Sequence, residues 1–241
     1  MHLRRKGSLL LAMSIVILAS GVLASSAKAQ DSQPAGGALT GRIKYTGKVP
    51  PKTPVEITKD PAACAKTPIY DESLVVDGKQ GLANVVVFIE GAPKPTVSAI
   101  PDVTLDQQGC RYLPHVQAGM VGAKLVIKNA DNVFHNVHAY HGEGTLFNVA
   151  TPGKGSRTTQ ELKTAGPMNF KCDVGHTWMA AWVYAVEHPY FAVTGADGSF
   201  SIRGLPAGTY TVKTWHEKLG QRSAKVTIVD GKPATATLTY K

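Results

Sequence analysis

Three side chains that bind soft or borderline metal ions lie close together late in the chain: Cys172, His176 and Met179, within Phe170-Lys171-Cys172-Asp173-Val174-Gly175-His176-Thr177-Trp178-Met179. A thiolate, two imidazoles and a weak axial thioether make the trigonal donor set of a copper ion that passes one electron, because that geometry suits both oxidation states. The chain supplies a thiolate, an imidazole and a thioether over eight residues, and a second imidazole upstream, in Asn132-Val133-Phe134-His135-Asn136-Val137-His138. Residues three apart on a strand point to opposite faces, so His135 and His138 are not expected to bind the same ion. His135 is the first choice and His138 the alternative.

Each residue alone has a plainer explanation. A Cys in an apolar strand is most often an inert buried thiol, a loop His a hydrogen-bonding group, and a Met ordinary packing. The joint arrangement, together with an odd cysteine count, favours the metal. Of three cysteines, one must stay unpaired. Cys64, after Asp60-Pro61-Ala62-Ala63, and Cys110, after Gln107-Gln108-Gly109, sit where a surface disulfide is easily built, although three pairings are open. The chain-entropy view gives a loop of that length about 4 kcal/mol of stabilisation. His188 and His216 are read as structural hydrogen-bonding groups, and His115 and His141 are further histidines near the candidate strand.

These side chains need a scaffold. Runs of five to eight apolar and β-branched residues recur between Gly, Pro, Asp and Asn. They include Leu39–Tyr45, Asn84–Glu90, Lys124–Lys128, Phe134–Tyr140, Arg157–Leu162, Met168–Cys172, Ala181–Val186, Phe191–Thr194, Tyr210–Trp215, Ala224–Val229 and Thr235–Tyr240. With hardly any helical periodicity and with 24 Gly and 15 Pro, this spacing predicts an all-β sandwich with little helix. Tight turns at Ala196-Asp197-Gly198-Ser199, Leu205-Pro206-Ala207-Gly208 and Asp230-Gly231 mark a series of C-terminal hairpins.

At the N-terminus, Arg4, Arg5 and Lys6 precede an uncharged run from Leu9 to Leu23 and then Ala27-Lys28-Ala29, the pattern of a secretory signal cleaved before Gln30. The mature protein is then periplasmic or secreted, and no later stretch is apolar enough to span a membrane. The whole chain carries 26 Lys+Arg against 17 Asp+Glu, a formal +9. Removal of residues 1–29 takes four positive charges and no negative one, leaving +5. Scattered lysines at that density, with no basic run, exclude nucleic acid and allow a mildly basic docking surface.

Asn129-Ala130-Asp131-Asn132-Val133-Phe134-His135-Asn136 resembles the first copper-ligand strand of cupredoxins, where a His is followed directly by Asn, and the order Cys172, His176, Met179 matches their C-terminal ligand loop. The resemblance covers roughly residues 85–187. It implies a Greek-key β-sandwich with one copper ion, His135, Cys172 and His176 as equatorial ligands, Met179 as axial ligand and Asn136 bracing the loop. The Cys-x3-His-x2-Met spacing departs from plastocyanins by one residue between Cys and His. Trp178, beside Met179, either shields the metal or packs as core.

A second resemblance lies in Thr194-Gly195-Ala196-Asp197-Gly198-Ser199-Phe200 and Leu205-Pro206-Ala207-Gly208-Thr209-Tyr210, which look like the carboxypeptidase regulatory-like, transthyretin-like β-sandwich, a module without catalytic residues of its own. Gly41–Gly47 and Leu82–Ile89 are candidates for its missing strands, which would insert the copper-binding part within it. The expected division is signal 1–29, cupredoxin-like 30–187 with an N-terminal β extension, and the smaller sandwich 188–241.

Catalysis finds no support. There is no Gly-x-Ser-x-Gly elbow, His-Glu-x-x-His helix, phosphate loop or dinucleotide fingerprint. The resulting expectation is an exported single-copper electron carrier, not an enzyme, that meets a redox partner protein. The alternative is a non-redox exported module that delivers copper or binds a glycan or protein. No aromatic platform argues for sugar.

Overall fold

The computed structural model describes residues 36–241, so the segment read as a secretory signal lies outside the described residues. Within them the chain forms β1 (Gly37–Tyr45), α1 (Pro61–Cys64), β2 (Val86–Glu90), β3 (Val103–Gln107), β4 (Tyr112–Leu113), β5 (Val116–Met120), β6 (Lys124–Asn129) and β7 (His135–His141). Then follow β8 (Gly144–Thr151), β9 (Arg157–Glu161), β10 (Gly166–Lys171), β11 (Ala180–Val186), β12 (Phe191–Val193), β13 (Ser199–Leu205), β14 (Gly208–His216), β15 (Gly220–Ile228) and β16 (Pro233–Tyr240). The fold is all-β; the one α-helix among the described residues has four residues. No helix among them is long and apolar enough to cross a membrane.

Four sheets make two sandwiches. A five-stranded sheet ordered β5-β11-β10-β7-β8 faces a four-stranded sheet ordered β4-β3-β6-β9. Leu105, Leu125 and Ile127 from one and Val137, Phe170 and Val183 from the other share a single apolar core. The second sandwich packs a sheet ordered β13-β1-β16 on one ordered β12-β2-β14-β15 around Leu39, Ile43, Val87, Ile89, Val212 and Leu238. β1 runs parallel to β16 and antiparallel to β13, and β2 lies between β12 and β14, so strands from both ends of the described chain build one layer pair. The first sandwich falls between β2 and β12 in sequence.

The Val-rich run ending β2 lacks alternation because both faces of the strand are covered. Val87 and Ile89 enter the second core, while Val86 joins Val116, Tyr184, Val186 and Trp215 in a third cluster where the sandwiches meet. Its rings pack tightly, with Trp182–Trp215 centroids 5.1 Å apart and Tyr184–Trp215 5.6 Å. β11 serves both purposes: it pairs with β10 at the end that carries residues 172–179 and lays Tyr184 and Val186 against the second sandwich.

Strands β3, β4, β5, β8 and β13 are additions to the sequence reading. β8 presents a mostly exposed face, so apolar content gives little sign of it, and β5 is short and interrupted by Gly119. β13, by contrast, alternates cleanly between exposed and buried residues from Ser199 to Ile202. The disulfide is Cys64–Cys110, which leaves Cys172 as the free thiol. It is not at the surface: Cys64 and Cys110 are 2% and 0% exposed, because residues of the segment after β1 fold against the core of the first sandwich.

His216, at the end of β14, is buried and its Nδ1 accepts the Lys218 backbone N–H at 3.2 Å. Burial holds its pKa down to about 4. An unfolded histidine titrates near 6.5, so the unfolded chain takes up the proton first; this group's contribution is complete above that pH and is lost as pH falls toward 4. The loss amounts to about 3 kcal/mol. Urea denaturation at pH 7 and pH 4.5 is expected to show a clearly smaller acid loss for His216→Gln than for wild type; equal losses would contradict the assignment.

Candidate metal centre

The centre is built at one end of the first sandwich by two loops. After β6, Asn129 shapes the turn that leads into β7: its amide donates to the carbonyls of Val133 (3.0 Å) and Thr151 (2.8 Å), and its Oδ1 accepts the Asp131 N–H (2.8 Å). That turn delivers His135 as the first residue of β7. The other loop joins β10 to β11, whose pairing ends at Lys171 opposite Ala180, so residues 172–179 form the tip of a hairpin. Gly175, at φ +100, turns this tip back, a conformation glycine adopts freely. The Met179 N–H donates to the His176 carbonyl at 2.9 Å and closes the turn.

The two loops bring His135, Cys172 and His176 together, with their metal-competent atoms within 4.8 Å of one another. The Nδ1 atoms of the two histidines are 3.1 Å apart and Cys172 Sγ is 3.7 Å from His176 Nδ1. Both imidazoles are 0% exposed and the thiol is 5% exposed. Met179 is buried in the same apolar cluster as Cys172.

Each imidazole is held from behind. His135 Nε2 donates to Asp131 Oδ2 (3.1 Å), and His176 Nε2 donates to Asp60 Oδ2 (2.9 Å), Asp60 being the residue that precedes α1. With each Nε2 donating to a carboxylate, the two aspartates aim both Nδ1 atoms at one point, where a metal ion would take the place of the proton they share. Burial pulls the His135 pKa down, but the Asp131 carboxylate and the Cys172 sulfur outweigh it and raise it to about 8. Burial and the neighbouring His135 charge lower that of His176. Burial pushes the Cys172 thiol up, yet His135 and the backbone amides of Asn136 and Val174 prevail, so its net shift is downward toward the thiolate.

Asn136 does brace the loop: its Oδ1 accepts the Asp173 N–H at 2.7 Å. Trp178 packs against the core of the first sandwich. Its Nε1 donates to the Cys110 carbonyl (2.9 Å), and its ring stands edge-on to His176, centroids 5.4 Å apart. His138 points away from the centre, bonded to Asp173 Oδ2 (2.6 Å) and Thr145 Oγ1 (2.9 Å). His115 bonds to Glu217 and to the Ala180 carbonyl, His141 Nδ1 donates to the Pro167 carbonyl, and His188 accepts the Tyr190 N–H. Sequence reasoning missed Asp60, Asp131 and Tyr112. Asp131 lies four residues before His135 and was within reach of a search for carboxylates near it; Asp60 is 116 residues from His176, with no local signal. Tyr112 is buried next to Cys172, and burial followed by the nearby thiolate charge raises its pKa.

The donor set fits a first-row ion of copper type. With metal–nitrogen distances of about 2.0 Å and metal–sulfur of about 2.3 Å, the observed separations correspond to angles of roughly 100° between the nitrogens and roughly 120° between nitrogen and sulfur. The nitrogens of His135 and His176 and the Cys172 sulfur are close enough to share one ion, and the carboxylate-held imidazoles meet the need for oriented ligands.

The carboxypeptidase regulatory-like domain family matches residues 180–241, about a quarter of the chain. No curated protein matches. Among solved structures the chain is similar to a purple cupredoxin from Nitrosopumilus maritimus, at 22% identity over 35% of this chain and 100% of that one, TM-score 0.32. Amicyanin from Paracoccus versutus is 17% identical over 42% of this chain and 97% of its own, TM-score 0.31. A copper-containing nitrite reductase from Thermus scotoductus SA-01 is 22% identical over 39% of this chain and only 25% of its own, TM-score 0.31.

Proposed function

We propose that the protein binds a single copper ion through His135, Cys172 and His176, with Met179 as the weak axial ligand, and that it carries electrons instead of catalysing a reaction. The observation that carries this reading is the buried His135–Cys172–His176 cluster, whose Nδ1 atoms are turned inward by two aspartates. Bound copper supplies a one-electron couple. The protein's own share is rigidity: His135 opens β7, and the loop that carries Cys172, His176 and Met179 is anchored at both ends by the paired strands β10 and β11, so little has to move between oxidation states.

The further reading is that the protein is exported after cleavage before Gln30 and works in the periplasm or outside the cell with a redox partner protein. Phe134, next to His135 and 45% exposed, lines a shallow cleft with Val133 and Val174, which offers such a partner an apolar contact near the centre. In domain terms, residues 30–187 carry the copper-binding sandwich with its N-terminal β extension, and residues 188–241 the smaller sandwich, completed by β1 and β2. Reversible voltammetry of the copper-loaded chain tests the electron-carrier reading. A one-electron wave retained over repeated cycles is expected; copper that dissociates on reduction would favour the alternative, a copper-delivery module.

A further inference from the structure

The Cys64–Cys110 bridge lies directly behind the candidate centre. Its two sulfurs and a ring nitrogen of His176 lie within 4.8 Å of one another, and all three residues are buried. The bridge is also connected to both imidazoles. Cys64 closes α1, the single helical turn that follows Asp60, and Asp60 holds His176. On the other side, the N–H groups of Gly109 and Cys110 donate to the Asp131 carboxylate at 2.7 and 2.8 Å, and Asp131 holds His135. A cross-link serving only to pin a surface loop would not need this position.

We propose that reduction of the Cys64–Cys110 disulfide opens a second metal site, made of Cys64, Cys110 and His176, which takes a soft monovalent ion such as Cu(I) and draws His176 away from the first. A dithiol reductant supplies two electrons and two protons; the S–S bond breaks, two thiols form, and the reductant leaves as its own disulfide. Cu(I) then binds the two sulfurs as thiolates with release of two protons, and His176 completes the site. Two thiolates and an imidazole are a soft set that prefers Cu(I) to hard divalent ions. Buried thiolates are costly without a compensating cation, so reduction and metal binding reinforce each other. Because His176 serves both sites, the state of the disulfide decides which one is complete. The inference goes beyond the electron-carrier reading and does not depend on copper at Cys172.

The test uses residues 30–241 carrying Cys172→Ser, which removes the first site's thiolate. Samples with the disulfide intact and with it reduced are titrated with Cu(I) in competition with a chromophoric Cu(I) chelator, with far-UV circular dichroism as a check on folding. The reduced chain is expected to withhold one equivalent that the disulfide form does not. That equivalent should disappear on adding Cys110→Ser and weaken at least roughly tenfold on adding His176→Ala. The proposal is overturned if the reduced chain holds no more Cu(I) than the disulfide form, if the retained equivalent survives Cys110→Ser, or if reduction unfolds the chain whether or not Cu(I) is present. Failure of the electron-carrier reading shows separately, as absence of a Cys172-dependent visible band in the disulfide form of wild type.

Discussion

Asp131→Ala is expected to weaken copper(II) binding by about 10- to 100-fold with the fold intact. Asp131 has three hydrogen-bonding duties: it accepts from His135 Nε2 and from the backbone N–H groups of Gly109 and Cys110. Without it, His135 can carry its proton on Nδ1, the atom that faces His176, and the ring loses its fixed orientation. Its hydrogen bonds also hold its own pKa below the usual carboxylate value, against the opposing effect of burial, so it is ionised at neutral pH. Asp60→Ala is expected to act in the same direction but less, because Asp60 is 35% exposed in its side chain against 13% for Asp131, and water can take its place. Competition titration against a copper(II) chelator measures both variants. An Asp131→Ala affinity within twofold of wild type would mean that the carboxylate does not orient the ligand.

Phe170→Ala is expected to destabilise the chain by about 3 to 5 kcal/mol. Phe170 is fully buried on β10, two residues before Cys172, and its ring faces Phe147 at 6.1 Å. The cavity would open between strands paired to both sides, where backbone hydrogen bonding resists collapse. For a chain of this size the melting temperature should fall by about 10 °C. Thermal unfolding of the metal-free protein reads this directly, and a change below about 1 kcal/mol would place Phe170 outside the core that supports the centre.

The sequence made much of the β architecture legible, although β13, whose residues alternate between exposed and buried, was not read. Period-two alternation in Leu39–Tyr45 and the turns at Gly198 and Gly208 pointed to the second sandwich, and the turn contexts of Cys64 and Cys110, with Cys172 set among metal-competent residues, favoured the observed pairing among the three possible. Strands such as β8, exposed along most of their length, leave too little apolar contrast to be read. The burial of the disulfide was also hidden, because the turn-forming residues around Cys64 and Cys110 look the same whether the loop folds outward or against a core. The candidate cluster was legible in three residue types and one loop spacing. What the sequence did not disclose is the long-range part: Asp60 against His176, Tyr112 beside Cys172, and the disulfide that ties the supports of both imidazoles together. Such contacts depend on how distant segments pack, and no local periodicity records them.

The central claim is that Cys172 supplies a thiolate to a single copper ion shared with His135 and His176. The most direct measurement is an optical and electron-spin-resonance titration of residues 30–241 with copper(II), run beside Cys172→Ser and His135→Ala. An intense visible sulfur-to-copper band that saturates at one equivalent, vanishes in Cys172→Ser and changes in His135→Ala is the expected result. A wild-type chain that shows no such band, or one whose copper binding is unchanged by Cys172→Ser, would contradict the claim and leave the buried cluster as part of the fold's packing.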